Sequence, residues 1–168
     1  MIYPPLILSM LLMIPLVCCA RGENLLTIES WGSGAPELSV SVPSGYTVQK
    51  HKGPDFDVHY VRLKNPEDPS MGIYIGHRPN LFSSQKKGIE TEKETDVILG
   101  QNVEWTLWQE KKDGKTTYHC ETIVREVFKG MEGSGVAGLI VHIFIRGPDQ
   151  KKVNLLKASA KSLQIVRR

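Results

Sequence analysis

Asp57 and His59 are the residues whose types and spacing best suit metal chemistry in this chain. Residues i and i+2 of a strand point to the same face, so a carboxylate and an imidazole would share one surface. His77, on a neighbouring predicted strand, could supply a third ligand. No Cys pair and no His-x-x-x-His helix supports such a site. The sequence therefore favours a surface Asp-His pair and predicts no bound metal or other cofactor.

Nucleophilic catalysis has little support in the sequence. Cys120 follows His119 directly, but adjacent strand residues point to opposite faces and cannot form a thiolate–imidazole pair. Ser134 lies between glycines without the full Gly-x-Ser-x-Gly elbow. A non-enzymatic role is favoured, and an exported enzyme that uses Asp57 and His59 remains the alternative.

Four residues are candidates for binding contacts. Trp108 and His119 face each other in a predicted hairpin, and aromatic residues concentrate at binding hot spots. The competing interpretation, which the sequence favours, is that a helix covers this face and Trp108 is core. Phe82 and Met131 each place an apolar residue in a predicted loop. A further possibility is a small-molecule or cell-wall binding pocket lined by Trp108 and Tyr74.

The clearest predicted element is the hairpin that positions Trp108 and His119. Asp113-Gly114 separates two alternating stretches, 103–112 and 115–128, and this dipeptide favours a two-residue type I′ turn. Such a turn pairs Lys112 with Lys115, Trp108 with His119 and Leu107 with Cys120. One face is then predicted core, formed by Val103, Trp105, Leu107, Cys120 and Val124.

The remaining elements are predicted from the periodicity of apolar residues and from the turn-forming residues between them. Alternating stretches predict strands at 38–42, 46–50, 56–61 and 72–76, and an arm before them holds a short strand at 25–28. The apolar run 136–145 predicts a central strand covered on both faces. Asp149 is the predicted N-cap of a helix that runs from Gln150 to about Leu163. Residues 80–94 are polar and charged, and fit either a short helix or a long loop.

The first twenty residues predict export. The apolar run 7–17 is too short to span a membrane and suits the core of a signal peptide. Leu16-Val17-Cys18-Cys19 resembles the lipobox of bacterial lipoproteins, which implies cleavage before Cys19 and a diacylglyceryl group on its thiol. Cys18 departs from the usual Ala or Gly, and ordinary cleavage after Ala20 is the alternative.

A second resemblance concerns the body of the chain. The stretch LSVSVPSGYTV at 38–48 resembles the opening hairpin of PsbP-like, or Mog-type, domains, and 153–163 is similar to their last helix, which ends in Ser-Leu. The resemblance covers about residues 36–166. It implies an α/β/α sandwich, with helices on both sides of a central antiparallel sheet. Family members are mostly accessory subunits and binding partners, so it implies no catalytic residues.

The balance of charged residues indicates the kind of surface that the protein presents. The 21 Lys and Arg residues are nearly balanced by 18 Asp and Glu, a net charge of +3, which indicates a mixed surface and no nucleic-acid partner. We predict a signal peptide at 1–18, a lipidated tether and arm at 19–36, and one α+β domain at 37–168, whose mostly antiparallel sheet carries packed helices.

The predicted function is that of a lipid-anchored envelope protein that binds or supports another envelope protein. Its partners would be the membrane, through the lipid on Cys19, and that second protein. Ala20 after the lipidated residue favours the outer membrane, facing the periplasm. A secreted or soluble periplasmic protein that binds a small molecule or a metal is the alternative.

Overall fold

The computed structural model describes residues 23–29, 36–128 and 138–166. Within these ranges ten strands form two antiparallel sheets. The strands are β1 (Glu23–Ile28), β2 (Glu37–Pro43), β3 (Thr47–Lys52), β4 (Phe56–Arg62), β5 (Ser70–Gly76), β6 (Glu92–Ile98), β7 (Gln101–Lys112), β8 (Lys115–Val124), β9 (Ile140–Gly147) and β10 (Gln164–Val166). The small sheet has the order β1-β2-β10, and the large sheet has the order β3-β4-β5-β9-β8-β7-β6.

The predicted hairpin is confirmed in turn and register. Lys112 pairs with Lys115, Trp108 with His119 and Leu107 with Cys120. Both turn residues have positive φ, 50° at Asp113 and 73° at Gly114, as a type I′ turn requires. The central position of β9 is also confirmed, because three strands of the large sheet lie on each side of it. The strand predicted in the arm is β1, which pairs along its length with β2.

One helix, α1 (Gln150–Ala160), covers the large sheet from one side in the described part of the chain. Its N-cap is Asp149, as predicted, and the carboxylate accepts the backbone N–H groups of Lys151 and Lys152. Val153, Leu156 and Ala160 are buried between β2 of the small sheet and β9 of the large one. Helix, small sheet and one face of the large sheet thus share a single core.

The α/β/α sandwich expected from the PsbP-like resemblance is wrong, although the α+β class with mostly antiparallel strands is confirmed. Residues 80–94, one possible second helix, form a single 3-10 turn at Ser83–Gln85 and then enter β6. They lack the apolar periodicity that a packed helix needs. β6 is instead an exposed, charged edge strand, a composition that discourages further strand pairing.

Several predictions fall outside the described residues. These are the signal peptide, Cys19 with its lipid, and Met131. Among the residues that are described, no helix is long and apolar enough to cross a membrane.

Candidate functional site

The face of the large sheet turned away from α1, called the outer face here, carries a row of polar side chains. The pairing register places five residues side by side across five adjacent strands, β4, β5, β9, β8 and β7. They are, in that order, Arg62, Ser70, Arg146, His119 and Trp108. Because residues opposite each other in neighbouring strands share a face, two arginines and a serine lie at one end of the sheet with the Trp-His pair beside them.

The next row of the same face is aromatic. Tyr60, Gly72 and Phe144 are aligned on β4, β5 and β9. Gly72 matters because a methyl group at this position would overlap the ring of Phe144, so the missing side chain lets that ring lie over β5. Tyr60 meets Phe144 edge-on at 6.0 Å between ring centroids, and Phe82 meets it edge-on at 5.0 Å. Three rings thus form an aromatic floor.

Glu121 holds the segment that brings Phe82 onto this floor. Its carboxylate is buried and accepts the backbone N–H of Phe82 at 3.0 Å and that of Ser83 at 2.9 Å. It also accepts the Ser83 hydroxyl, and it lies 3.1 Å from Nε2 of the buried His142. The 3-10 turn is therefore attached to the sheet through one carboxylate, in the way that an N-cap holds a helix.

Burial and hydrogen bonding act in opposite directions on Glu121. Burial alone would raise the pKa of its carboxyl, because desolvation disfavours the charged form. The hydrogen bonds from His142, Ser83 and Phe82 outweigh that effect and hold the pKa below its ordinary value. Glu121 is therefore ionised at neutral pH, as a carboxylate with several donors should be.

A cavity of about 560 Å³ lies above the two rows. The strands supply its floor. Asn65, Pro66 and Asp68 of the β4–β5 loop form one wall, and Phe82 and Lys86 form another. This volume lies within the usual range of small-molecule sites.

The charges around the cavity are not all neutralised. The Lys86 ammonium lies 3.1 Å from the Glu110 carboxylate, and Asp68 pairs with Lys152 at 3.3 Å. Arg62, by contrast, donates to the neutral side chain of Gln49. Arg146 has no ion pair with any residue in the described ranges. Two guanidinium groups at one end of the cavity thus lack a carboxylate partner within the described chain.

Trp108 and His119 stack face to face, with ring centroids 5.0 Å apart and planes 6° from parallel. Trp108 is only 7% exposed, and its Nε1 donates to Glu110 at 3.3 Å. The expected helical cover is wrong, because α1 packs on the opposite face of the sheet. Burial lowers the pKa of His119, and the positive charges of Arg146 and Lys86 lower it further.

A second cavity, of about 530 Å³, adjoins the same pair. Its lining includes Trp108, His119, Tyr118 and residues of the first turn of α1. Trp108 and His119 therefore stand between two cavities. We take the first cavity as the candidate site, because the aromatic floor and the two unneutralised guanidinium groups meet there.

The metal candidates lie on the other face of the large sheet, the inner face. Asp57 and His59 are both 1% exposed, and Asp57 pairs with Lys50 at 3.2 Å. Burial lowers the pKa of His59, with a contribution from the charge of Lys50. His77 is exposed just beyond the end of β5. Within the described residues, no three His, Cys, Asp or Glu side chains are grouped to hold a metal ion.

Tyr74 lies on the outer face, outside the two cavities described above that Trp108 lines. Its ring stacks on Phe56 at 5.4 Å, and its hydroxyl accepts the backbone N–H of Arg78. Phe82, predicted as an exposed loop residue, is 37% exposed and forms part of the aromatic floor. Cys120 lies in the core, where burial raises the pKa of its thiol to about 12.

The sequence analysis missed the residues that give the site its charge and its floor. None of the residues that do so was selected from the sequence: Arg62, Arg146, Phe144 and Glu121. A signal for two of them was present, because Phe144 and Arg146 are alternate residues that must share a face of β9. The continuous apolar run around them concealed that alternation.

Comparisons with known proteins show a likeness in fold to solved structures. No protein-family model matches this chain, and no curated protein matches its sequence. The fold is similar to the crystal structure of LpqN, a protein involved in cell envelope biogenesis of Mycobacterium tuberculosis, with a TM-score of 0.54. The match covers 87% of this chain and 92% of that one at 11% identity. Identity that low shows a shared fold and nothing more.

Proposed function

We propose that this protein is an exported, lipid-anchored component of a bacterial envelope that binds a ligand without transforming it. The binding site is the cavity on the outer face of the large sheet. The observation that carries the proposal is an aromatic floor beside two arginines that lack carboxylate partners among the described residues. The floor consists of Tyr60, Phe144 and Phe82. The envelope assignment draws support from the leader and from the likeness in fold to LpqN.

Binding is favoured over catalysis by the placement of the reactive side chains. The thiol of Cys120 is buried, and its raised pKa keeps it protonated. His119 points to the opposite face of the sheet and pairs with Trp108. Asp57 and His59 are buried beneath the inner face, where Lys50 neutralises the Asp57 carboxylate. Neither the Cys120 thiol nor the Asp57-His59 pair is therefore placed to act on a ligand in the cavity.

Lipidation at Cys19 is part of the proposal, together with outer-membrane attachment and membership of the PsbP-like class. Fractionation of cells that express Cys19→Ala tests the anchor. We expect the wild type in the membrane fraction and the variant in the soluble fraction, while Cys18→Ala stays with the membrane as a matched control. Equal partitioning of all three proteins would contradict the anchor and favour ordinary cleavage after Ala20.

The cavity is tested with a neutral aromatic probe, 2-naphthalenemethanol, followed by amide chemical-shift changes in the purified protein. We expect the shifts to concentrate on Phe144, Tyr60 and Phe82 and to disappear in Phe144→Ala. Leu155→Ala is the control, because Leu155 is a partly exposed apolar residue on α1, away from the cavity. Shifts scattered over the surface, or unchanged in Phe144→Ala, would contradict the proposal.

A second function, support of another envelope protein, is favoured by two exposed apolar side chains. Leu25 on β1 is 73% exposed and Val97 on β6 is 53% exposed. β1 is an edge strand that can pair with an added strand of a partner, whereas β6 is charged and would contribute only the apolar side chain of Val97. Co-purification of one envelope protein in near-equal amounts, lost in Leu25→Asp or Val97→Asp, would support this role. Retention of the partner by both variants would contradict it.

A further inference from the structure

We propose that the cavity selects ligands that combine an acidic group with an apolar, preferably ring-bearing body. This inference rests on the proposed function and names the ligand class of the same site. The carboxylate or phosphate would lie between Arg62 and Arg146, over Ser70, and the body would lie on the rings of Phe144 and Tyr60.

The pairing register places the two arginines for a shared contact. Arg62 pairs with Ser70, and Ser70 pairs with Arg146, so the arginines flank β5 on one face. Strands lie about 4.8 Å apart, which puts the two arginine backbones about 10 Å from each other. Ser70 between them is small, and its hydroxyl can donate. The three side chains therefore surround a gap that fits a compact anionic group.

The charge balance of the cavity favours an anion at this point. Lys86 already has Glu110, and Asp68 already has Lys152. The guanidinium of Arg62 donates only to the neutral amide oxygen of Gln49, and Arg146 pairs with no carboxylate in the described part of the chain. Guanidinium groups bind carboxylates and phosphates with charge-assisted and often bidentate hydrogen bonds. An acidic group on a ligand would supply the negative charge that the described residues do not.

The aromatic floor determines the rest of the ligand. Phe144 lies over Gly72, with Tyr60 and Phe82 edge-on to it. This arrangement presents ring faces and edges next to the arginine end of the cavity. Flat apolar groups gain from offset or edge contacts with such rings beyond the burial of their surface. Since the acid site and the floor are in adjacent rows, one molecule can reach both.

The test compares two probes of equal ring size, 2-naphthoate and 2-naphthalenemethanol, by isothermal titration of the purified protein. We expect the anion to bind at least about tenfold more tightly, a difference of about 1.4 kcal/mol. The variant Arg62→Gln/Arg146→Gln should lose that preference. Lys111→Gln/Lys112→Gln removes the same charge from the exposed hairpin end and should retain it. Added salt should reduce the difference in affinity between the two probes, because the side chains of Arg62 and Arg146 are exposed to solvent.

The outcomes separate this inference from the proposed function. Equal affinity for both probes, or a preference that survives in the double arginine variant, overturns the anion site and leaves the cavity as a neutral binding site. Binding of neither probe overturns both proposals. If the lysine variant also loses the preference for the anionic probe, that preference comes from the net charge of the protein. This result would also overturn the inference.

Two competitors then distinguish the source of the acid. Displacement of 2-naphthoate by vesicles of phosphatidylglycerol, but not of phosphatidylcholine, would assign the site to an acidic lipid headgroup. Displacement by soluble dodecanoate alone would assign it to a free acid. If neither competitor displaces the probe, acidic lipid headgroups and linear fatty acids are excluded as the source, and the acid must belong to a ring-bearing ligand.

Discussion

The two faces of the large sheet are built from the same strands but differ in composition and in what covers them. Ile143 and Phe144 are consecutive residues of β9, one fully buried on the inner face and one half-buried on the outer face. The inner face is largely apolar and is covered by α1 and the small sheet. The outer face carries rings, ion pairs and two unneutralised arginines. It is covered only in part, by the segment that Glu121 attaches.

Under the proposed function, the inner face of the sheet supplies stability and the outer face supplies the binding site. Apolar side chains on the inner face gain from complete removal from water. The outer face keeps polar groups that would be costly to bury without partners, and its cavity leaves aromatic surface accessible. We therefore expect inner-face substitutions to change the free energy of unfolding and outer-face substitutions to change mainly ligand affinity.

The largest expected effect on stability and binding comes from truncating Ile143 and Phe144, which are consecutive residues of β9. Ile143→Ala should lower the free energy of unfolding by about 2–5 kcal/mol, because it leaves a cavity in a packed core. Phe144→Ala should cost less, about 2 kcal/mol, since its ring is only partly buried, but should abolish binding of 2-naphthoate. Urea unfolding and probe titration measure the two effects. Equal stability losses with equal affinities would remove the distinction between the faces.

Gly72→Ala should destabilise the protein when Phe144 is present and stabilise it when the Phe144 ring is removed. Gly72→Ala should cost about 2 kcal/mol, because the new methyl group overlaps the ring of Phe144. In the Phe144→Ala background the overlap is gone, and alanine should then stabilise the strand by about 0.5 kcal/mol relative to glycine. A double-mutant cycle by urea unfolding tests this. The same cost in both backgrounds would show that Phe144 does not depend on Gly72 for its position.

Glu121 should make stability depend on acid pH. Its folded pKa is depressed, so its stabilisation is present above the unfolded pKa of about 4.3 and is lost as pH falls through the folded value. Glu121→Gln should cost about 1.5 kcal/mol at pH 7 and flatten the fall in stability below pH 4.5 or so. Hydrogen exchange should show the amides of Phe82 and Ser83 losing protection first. If the wild type and Glu121→Gln lose stability in parallel as the pH falls, this role of Glu121 is contradicted.

The smallest expected effect concerns the helical cover of the inner face. Asp149→Ala removes the N-cap of α1 and should lower the free energy of unfolding by about 1 kcal/mol. Asp149→Ser, which keeps a capping oxygen, should recover most of that loss. Binding of 2-naphthoate should be unchanged in both variants, because α1 packs on the face opposite the cavity. A change in affinity would show that the two faces are coupled.

The sequence was most informative where local physics decides the structure. The Asp113-Gly114 turn, the pairing of Trp108 with His119 and the cap at Asp149 all follow from short-range rules, and the structure confirms them. The apolar run that became β9 indicated its central position for the same reason. The second helical layer was wrong, because it was taken from a resemblance and had no periodicity in residues 80–94 to support it.

The candidate site was only partly predictable. Trp108, His119 and Phe82 were selected from the sequence, and they line the cavity. Arg62 and Arg146 are 84 residues apart in the chain, and only the pairing of β4, β5 and β9 places them on either side of Ser70. Asp57 and His59 share a face as predicted, but the covering of that face by other elements buries them.

The sequence by itself determined the tight turn, the capped helix and the described strands other than β6 and β10, because these depend on alternation, φ preferences and near neighbours. The tertiary structure alone decided the order of the strands, which face α1 covers, and which distant side chains meet. Those outcomes depend on strand pairing and on burial summed over the whole molecule. The aromatic floor and the paired arginines exist only because β9, late in the chain, inserts between β5 and β8.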